Sequence, residues 1–258
     1  MVKRIIAAIQ FLTILPVPVK TRDRNLGDLE KSIPWFPLAG ALTGFITGYG
    51  NWVLGRLFPV QVSVALTIVL YMILTRGLHL DGYMDTIDGF LSHRGKDDRE
   101  VILRIMKEPG VGSFAVLGVV TWALVLYSAL PYLEPLDYVV VHVLARFSIV
   151  PLPLLFSYPR ESGTGKFFAD NVKAKTVIAS SIVTVVILAA VFFLKGRGAV
   201  FFALEWLKLA VLSFLLAVVI GRWSKRKISG VTGDVLGFTI EIVHVVLVLV
   251  ITLTSIHG

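Results

Sequence analysis

The chain has 258 residues, of which 56% are hydrophobic and only 16% are charged, and its mean hydropathy is +0.82. A soluble domain carries about 25% charged residues, so this composition excludes an ordinary soluble enzyme and favours one membrane-embedded domain covering 1–258. The absence of cysteine excludes disulfides, thiolate catalysis and Cys-ligated zinc. In so apolar a chain, we attribute the net charge of +8 to loops that face anionic lipid rather than to nucleic-acid binding.

The first predicted element is a short apolar helix, 5–15, which ends before Pro16. It is too short to cross a bilayer, so we expect an interfacial or re-entrant helix. Stretches long and apolar enough to span the membrane follow at 33–58, 60–78, 111–133, 138–158, 176–194, 199–220 and 235–255. The expected fold is therefore all-α, a polytopic transmembrane bundle of six or seven spans.

The first of these spans carries Gly40, Gly44 and Gly48 at four-residue spacing. Small residues at this spacing are typical of a face that packs closely on another membrane helix.

The distribution of Lys and Arg predicts which loops face the cytoplasm. If 33–58 begins inside, eighteen of these residues lie in inside segments, within 20–31, 94–107, 160–175 and 222–227 and at position 76. Only three, Arg56, Lys195 and Arg197, lie in outside segments. The positive-inside rule then predicts a multi-pass protein of the cell membrane, with its C-terminus outside.

The most informative motif is GLHLDGYMDTIDG, 77–89, at the inside end of the second span. Asp81, Asp85 and Asp88 stand at i, i+4 and i+7, within a sector of about 60° on one helix face. A solvated acidic face would carry interleaved Lys or Arg, and this one does not. Carboxylates that repel one another in this way suggest a site for Mg²⁺, with Mn²⁺ as the other suitable ion. Gly82 and Gly89 would let a phosphate or a second helix approach closely.

A second acidic motif, TGDVLGFTIE at 232–241, opens the last span. Asp234 alone could be explained by the helix macrodipole, which favours a carboxylate in the first turn. Glu241 lies about 10 Å further along the helix, where the dipole does not explain it. We therefore expect both carboxylates to line the same cavity as the aspartate motif.

Basic side chains for phosphate occur in two places. Arg104 and Lys107, followed by Glu108, lie on an amphipathic stretch whose alternative role is to rest on anionic lipid. Arg146 lies inside an apolar span, where a charge requires a partner or a ligand.

Two other patterns carry less weight. SGTGKF at 162–167 lacks the glycine spacing and the hydroxyl residue of a P-loop. His79, His142 and His244 do not pair at ligand spacing, so each is expected to be hydrogen-bonded in the core rather than bound to zinc.

Taken together, these motifs resemble the cobalamin synthase family, the adenosylcobinamide-GDP ribazoletransferases. The most specific match is GLHLDGYMDTIDG. The weaker matches are FLTILPVP (11–18), IPWFPLAGALTG (33–44), IMKEPGVGSF (105–114), Arg146, RESGTGKFF (160–168) and TGDVLGFTIE.

The resemblance implies a reaction in which a hydroxyl of α-ribazole, or of its 5′-phosphate, attacks the pyrophosphate of adenosylcobinamide-GDP. GMP is released, and adenosylcobalamin or its 5′-phosphate is formed. Mg²⁺ on Asp81, Asp85 and Asp88 would neutralise the pyrophosphate, and Asp88 or Asp85 would accept the hydroxyl proton. The candidate substrate-binding residues are His79, Arg104, Lys107, Glu108, Arg146, Asp234 and Glu241. Membrane lipid is the expected surrounding partner, and the number of associated chains is left open.

Two alternatives come from other classes. A CDP-alcohol phosphatidyltransferase also uses aspartates on membrane helices, but its motif has Ala-Arg where this chain has Asp85-Thr86. A cation transporter would use intramembrane carboxylates, but usually near the middle of the bilayer and between inverted repeats, which this chain does not show.

Overall fold

Every regular element in the described part of the chain is helical, which confirms the predicted fold class. The computed structural model describes residues 1–16, 29–92, 98–161, 163–196 and 199–257. The first six helices are α1 (Val2–Leu12), α2 (Phe36–Leu57), α3 (Val60–Thr75), α4 (Leu78–Leu91), α5 (Arg99–Ile105) and α6 (Ser113–Ala129). The other six are α7 (Pro135–Ser148), α8 (Leu152–Leu155), α9 (Thr164–Asn171), α10 (Ala174–Lys195), α11 (Ala199–Ile228) and α12 (Gly233–His257).

The described helices include five that are long and apolar enough to cross a membrane. They are Ser113–Tyr132, Pro135–Leu155, Ala174–Lys195, Trp206–Ile228 and Gly233–Ser255. The pair α3 and α4 makes a sixth if it is counted as one broken span. The protein is therefore a polytopic helical membrane protein. With the broken span included, the described residues contain six candidate spans, the lower of the two predicted numbers.

The predicted first span, 33–58, contains a helix of spanning length that is less apolar than the five named above. Its helix α2 has 22 residues and is about 33 Å long, which suffices to cross a bilayer. However, it is not among the helices whose composition suits a span. Its polar residues bond inside the bundle instead: Thr43 donates to the Gly40 carbonyl at 2.9 Å, and Asn51 donates to the Tyr138 hydroxyl at 3.0 Å.

The second predicted span, 60–78, is interrupted. Arg76 and Gly77 both take left-handed backbone angles, with φ of 54° and 64°. The chain consequently turns by 93° between α3 and α4, so the aspartate motif starts a new helix. Arg76 also donates to the carbonyls of Gln10 and Phe11 at 3.0 and 3.3 Å, which ties the end of α1 to this bend.

Two glycine contacts hold the bundle together near the motifs. A Cβ on Gly40, Gly44 or Gly48 would overlap a backbone carbonyl oxygen of α7, which confirms the predicted close packing of this face. A Cβ on Gly82 of α4 would lie 2.7 Å from the Asp234 carbonyl oxygen of α12. The two acidic motifs are thus brought together by direct backbone contact.

The loops predicted to share one side lie at one end of the bundle. Arg99 donates to the Pro159 carbonyl, and Val231 donates its backbone N–H to the Ser157 carbonyl at 2.9 Å. At the other end, Lys195 pairs with Asp137 at 2.5 Å. Residues 17–18 and 20–24, Arg94, Lys96, Ser162 and Arg197, on which parts of the motif and charge predictions rest, lie outside the described residues.

Candidate functional site

A cavity of about 270 Å³ opens where α1, α4, α9 and α12 meet. Three polar side chains line it: His79 and Asp81 from the aspartate motif, and Asp234 from the last helix. All three were predicted site residues, Asp81 as a metal ligand and His79 and Asp234 as substrate-binding residues. The structure therefore brings the N-terminal parts of both acidic motifs to one site.

The positions of Asp81 and Asp234 follow from helix geometry. Each lies in the first turn of its helix, α4 or α12, where the partial positive charge of the N-terminus favours a carboxylate. The contact between Gly82 and the Asp234 backbone fixes the two helix ends against each other. Close approach of a second helix was one of the two uses predicted for Gly82, and this contact is that approach.

Asp85 lies one turn further along α4 and is half-buried. Its burial most of all, and then the charges of Asp81, Asp234 and Asp88, oppose a negative charge on it, whereas Arg160 favours one. This concentration of carboxylates is the electrostatic feature that a bound cation would relieve.

Asp88 has a different environment from the other aspartates of its motif. It is 7% exposed and accepts backbone hydrogen bonds from Gly112 at 2.6 Å and Ala115 at 2.9 Å. Its carboxylate thereby caps the N-terminus of α6 from a neighbouring helix. With each oxygen already accepting a strong hydrogen bond, Asp88 is suited to holding the preceding loop in place rather than to receiving a proton.

The predicted set of three metal ligands is therefore not assembled as a cluster. Among the described residues there is no group of three or more His, Asp or Glu side chains arranged to hold a metal ion by themselves. The carboxylates that line the cavity, Asp81 and Asp234, come from α4 and α12, and the magnesium site stays a prediction.

Arg160 contacts the cavity residue Asp234, and the motif analysis did not single it out. Its Nη1 pairs with Asp234 Oδ2 at 2.9 Å, while its Nε and Nη2 are buried without a hydrogen-bond partner among the described residues. Tyr158 lies beside it, and burial raises the pKa of the Tyr158 phenol above its ordinary value. Its position at the start of the RESGTGKFF motif could have identified it, but the sequence analysis counted it only among the positive charges of the inside loops.

Glu241 and Arg146 lie in the closed interior and not on the cavity wall. Glu241 accepts hydrogen bonds from the Tyr71 hydroxyl at 2.7 Å and from the Trp122 indole at 3.0 Å. Arg146 is fully buried and donates to His142 Nδ1 at 2.7 Å. The expectation that Glu241 lines the same cavity as Asp234 does not match this geometry, because Tyr71 and Trp122 enclose its carboxylate. A substrate contact by Arg146 stays a prediction.

His79 connects the cavity wall to this interior. It is 3% exposed and lines the cavity, and neither of its ring nitrogens has a hydrogen-bond partner among the described residues. The expectation of a hydrogen-bonded core histidine was thus right about burial and wrong about hydrogen bonding for His79. A substrate contact by His79 stays a prediction.

Arg104, Lys107 and Glu108 are exposed at the end of α5 and in the loop that follows. None of them is among the described residues that line the cavity. The loop reaches the site indirectly, through the hydrogen bond from Gly112 to Asp88. Direct substrate contacts by these three residues stay predictions.

Apolar residues complete the cavity, and the sequence analysis did not identify them as site residues. Phe11, Phe36 and Phe168 come from α1, α2 and α9 and lie against one another at the wall. Gly165 of α9 packs on α12, where a Cβ would lie 2.6 Å from the Gly233 nitrogen. All four belong to motifs quoted for the family resemblance, but an apolar side chain has no local signal that marks it as part of a site.

Comparison with known proteins agrees with these motifs. Residues 4–252 match the cobalamin-5-phosphate synthase family. The chain is 33% identical to the adenosylcobinamide-GDP ribazoletransferase of Clostridium tetani, over 94% of this chain and 93% of that protein. It is 34% identical to the enzyme of the same name from Clostridium acetobutylicum, over 93% and 92%, and 30% identical to that of Geotalea daltonii, over 100% and 99%. No solved structure matches the chain.

Proposed function

The chain belongs to the cobalamin-5-phosphate synthase family, and we propose that it catalyses the reaction for which its relatives are named. A hydroxyl oxygen of α-ribazole, or of its 5′-phosphate, attacks the corrinoid-side phosphorus of adenosylcobinamide-GDP. The bond from that phosphorus to the bridging oxygen breaks, GMP leaves, and the hydroxyl proton passes to a carboxylate. The observation that carries this proposal is that Asp81 and Asp234 line one cavity, with Arg160 paired to Asp234 beside it.

Phosphoryl transfer depends on positioning and on neutralising charge more than on covalent help from the protein. The N-termini of α4 and α12 meet at Gly82 and Asp234, and such helix ends attract phosphate groups. Arg160 has two guanidinium nitrogens free of hydrogen-bond partners among the described residues, so it can donate to a pyrophosphate oxygen. Asp85, which is surrounded by other carboxylates, is the group best placed electrostatically to take up a proton.

The residues around the cavity fit Mg²⁺ when the ion is shared with the substrate. Mg²⁺ prefers carboxylate oxygens and is commonly held by one or two of them together with substrate phosphates. Asp81 and Asp234, which both line the cavity, would supply those oxygens, and the absence of a three-residue cage in the described part of the chain is compatible with this mode. The bound ion would neutralise the pyrophosphate, and Mn²⁺ has the same ligand preference.

We also propose that the cavity faces the cytoplasm at the inner membrane. Arg76, Arg99 and Arg160 belong to the basic segments that were predicted to lie inside. Their hydrogen bonds connect those segments to the end of the bundle at which the cavity lies. The positive-inside rule places such an end on the cytoplasmic side, beside anionic lipid. The phosphatidyltransferase and transporter alternatives are not favoured by the family match.

A direct test uses purified protein in lipid nanodiscs, supplied with adenosylcobinamide-GDP, Mg²⁺ and either α-ribazole or its 5′-phosphate. We expect GMP and the joined corrinoid to appear in equal amounts, and no GMP when the acceptor is omitted. Release of GMP without the joined product would show hydrolysis instead of transfer. No reaction with either acceptor would refute the proposed function.

A further inference from the structure

The cavity has two chemically different parts. Asp81 is exposed and Asp234 is partly exposed, so these carboxylates lie towards its mouth. The rest of the lining is mainly apolar and includes the buried residues Phe36, Val150 and Val172. The carboxylate end suits the reacting phosphate and hydroxyl, which leaves the apolar part without an assigned ligand.

Three phenylalanine rings form a wall in this apolar part. The Phe168 ring lies 5.1 Å from that of Phe11 and 5.6 Å from that of Phe36, and the Phe11 and Phe36 rings are 6.0 Å apart. Centroid distances in this range are those of interacting aromatic rings, so a further flat ring could join the cluster with favourable geometry. The three rings come from three separate helices, and the cavity depends on all of them.

The size and polarity of the cavity select among the groups of the two substrates. Its volume of about 270 Å³ is just below the range of about 300–1,000 Å³ typical of pockets for drug-sized ligands, so the corrin macrocycle is too large. Guanine carries polar edges that would lose their hydrogen bonds against a hydrocarbon wall. The dimethylbenzimidazole of α-ribazole is flat, small and largely apolar.

We propose that this part of the cavity holds the heterocyclic base of the acceptor nucleoside, and that the Phe11–Phe36–Phe168 wall determines which base is accepted. This assignment rests on the proposed function, because it presumes an acceptor of the ribazole type. It orients the acceptor with its base inside and its ribose hydroxyl towards Asp81 and Asp234.

His79 provides the polar contact that this orientation needs. It is buried in the lining, and both of its ring nitrogens lack hydrogen-bond partners among the described residues. A benzimidazole nucleoside has one bare ring nitrogen that accepts a hydrogen bond, and a neutral imidazole can donate to it. The benzimidazole nitrogen would thereby accept a hydrogen bond from the buried imidazole N–H of His79, which has no partner among the described residues.

The test measures the two substrates separately in Phe168→Ala. Removing the ring should raise KM for α-ribazole by about 10-fold or more, the effect typical of lost apolar contacts in a pocket, and leave KM for adenosylcobinamide-GDP within about 2-fold. Phe168→Leu, which keeps most of the apolar volume, should lie between wild type and Phe168→Ala. The matched control is Phe45→Ala, whose ring is 52% exposed and away from the cavity, and it should behave as wild type.

Binding of radiolabelled α-ribazole without the corrinoid donor separates this inference from the proposed function. Binding that weakens in Phe168→Ala supports the subsite even if no GMP is ever released, which would refute only the reaction. Normal turnover with an unchanged α-ribazole KM, or a change confined to the KM for adenosylcobinamide-GDP, would overturn the subsite and leave the reaction standing. Equal use of a nucleoside with a polar adenine base by the wild type would also overturn it.

Discussion

Replacing Gly82 by alanine tests whether the contact between α4 and α12 positions the carboxylates. The new Cβ would lie 2.7 Å from the Asp234 carbonyl oxygen and 2.9 Å from its Cα. Because comfortable contact begins at about 3.4 Å, the helices must separate locally by about 0.7 Å. Misplacing catalytic groups by about 1 Å can reduce rates by about 10²-fold, so we expect kcat to fall between about 10-fold and 100-fold.

The stability of Gly82→Ala should change less than its activity. Overpacking costs about 1–3 kcal/mol, and replacing glycine in a helix recovers about 1 kcal/mol, so unfolding should be easier by about 0–2 kcal/mol. The assay is GMP release per folded protein, with folding followed by thermal unfolding in detergent. Gly55→Ala is the matched control, because its Cβ would meet only the Ser63 hydroxyl at an ordinary 3.7 Å. Full activity in Gly82→Ala would refute the claim that this contact sets the site geometry.

The remaining predictions concern buried carboxylates that the structure separates from the cavity. In Asp88→Asn an amide NH₂ would face a backbone N–H donor of Gly112 or Ala115, so the free energy of unfolding should drop by about 1–3 kcal/mol, seen as a lower thermal midpoint. An unchanged midpoint with lost activity would instead assign Asp88 to the chemistry. In Glu241→Gln the amide would face the donor of Tyr71 or Trp122, and we expect a loss of about 2 kcal/mol with activity per folded molecule retained. Selective loss of turnover without destabilisation would contradict that assignment.

Features that depend on local pattern could be predicted from the sequence. The helices follow from apolar length, and the close approach at Gly40, Gly44 and Gly48 follows from their spacing. The contact at Gly82 was anticipated as one of two uses for that glycine. In each case the deciding information lies within one turn or one helix.

Features that depend on distant partners could not be predicted in this way. The i, i+7 spacing placed Asp81 and Asp88 on one helix face, but only the folded chain shows that Gly112 reaches Asp88. Likewise Tyr71 and Glu241, 170 residues apart, become partners through packing alone. The 93° bend was missed because Arg76, a residue common in helices, takes a left-handed conformation there.

The central claim is that the carboxylates at the junction of α4 and α12 perform phosphoryl transfer with a divalent cation. The most direct measurement is the rate of GMP release by wild type and Asp85→Asn over a full Mg²⁺ titration, normalised to folded protein, with the exposed Glu100→Gln as control. We expect Asp85→Asn to fold normally and to lose about 10³-fold in kcat, about 4 kcal/mol of transition-state stabilisation, with the wild-type rate depending on Mg²⁺. Near-normal turnover by Asp85→Asn at every Mg²⁺ concentration would contradict the account.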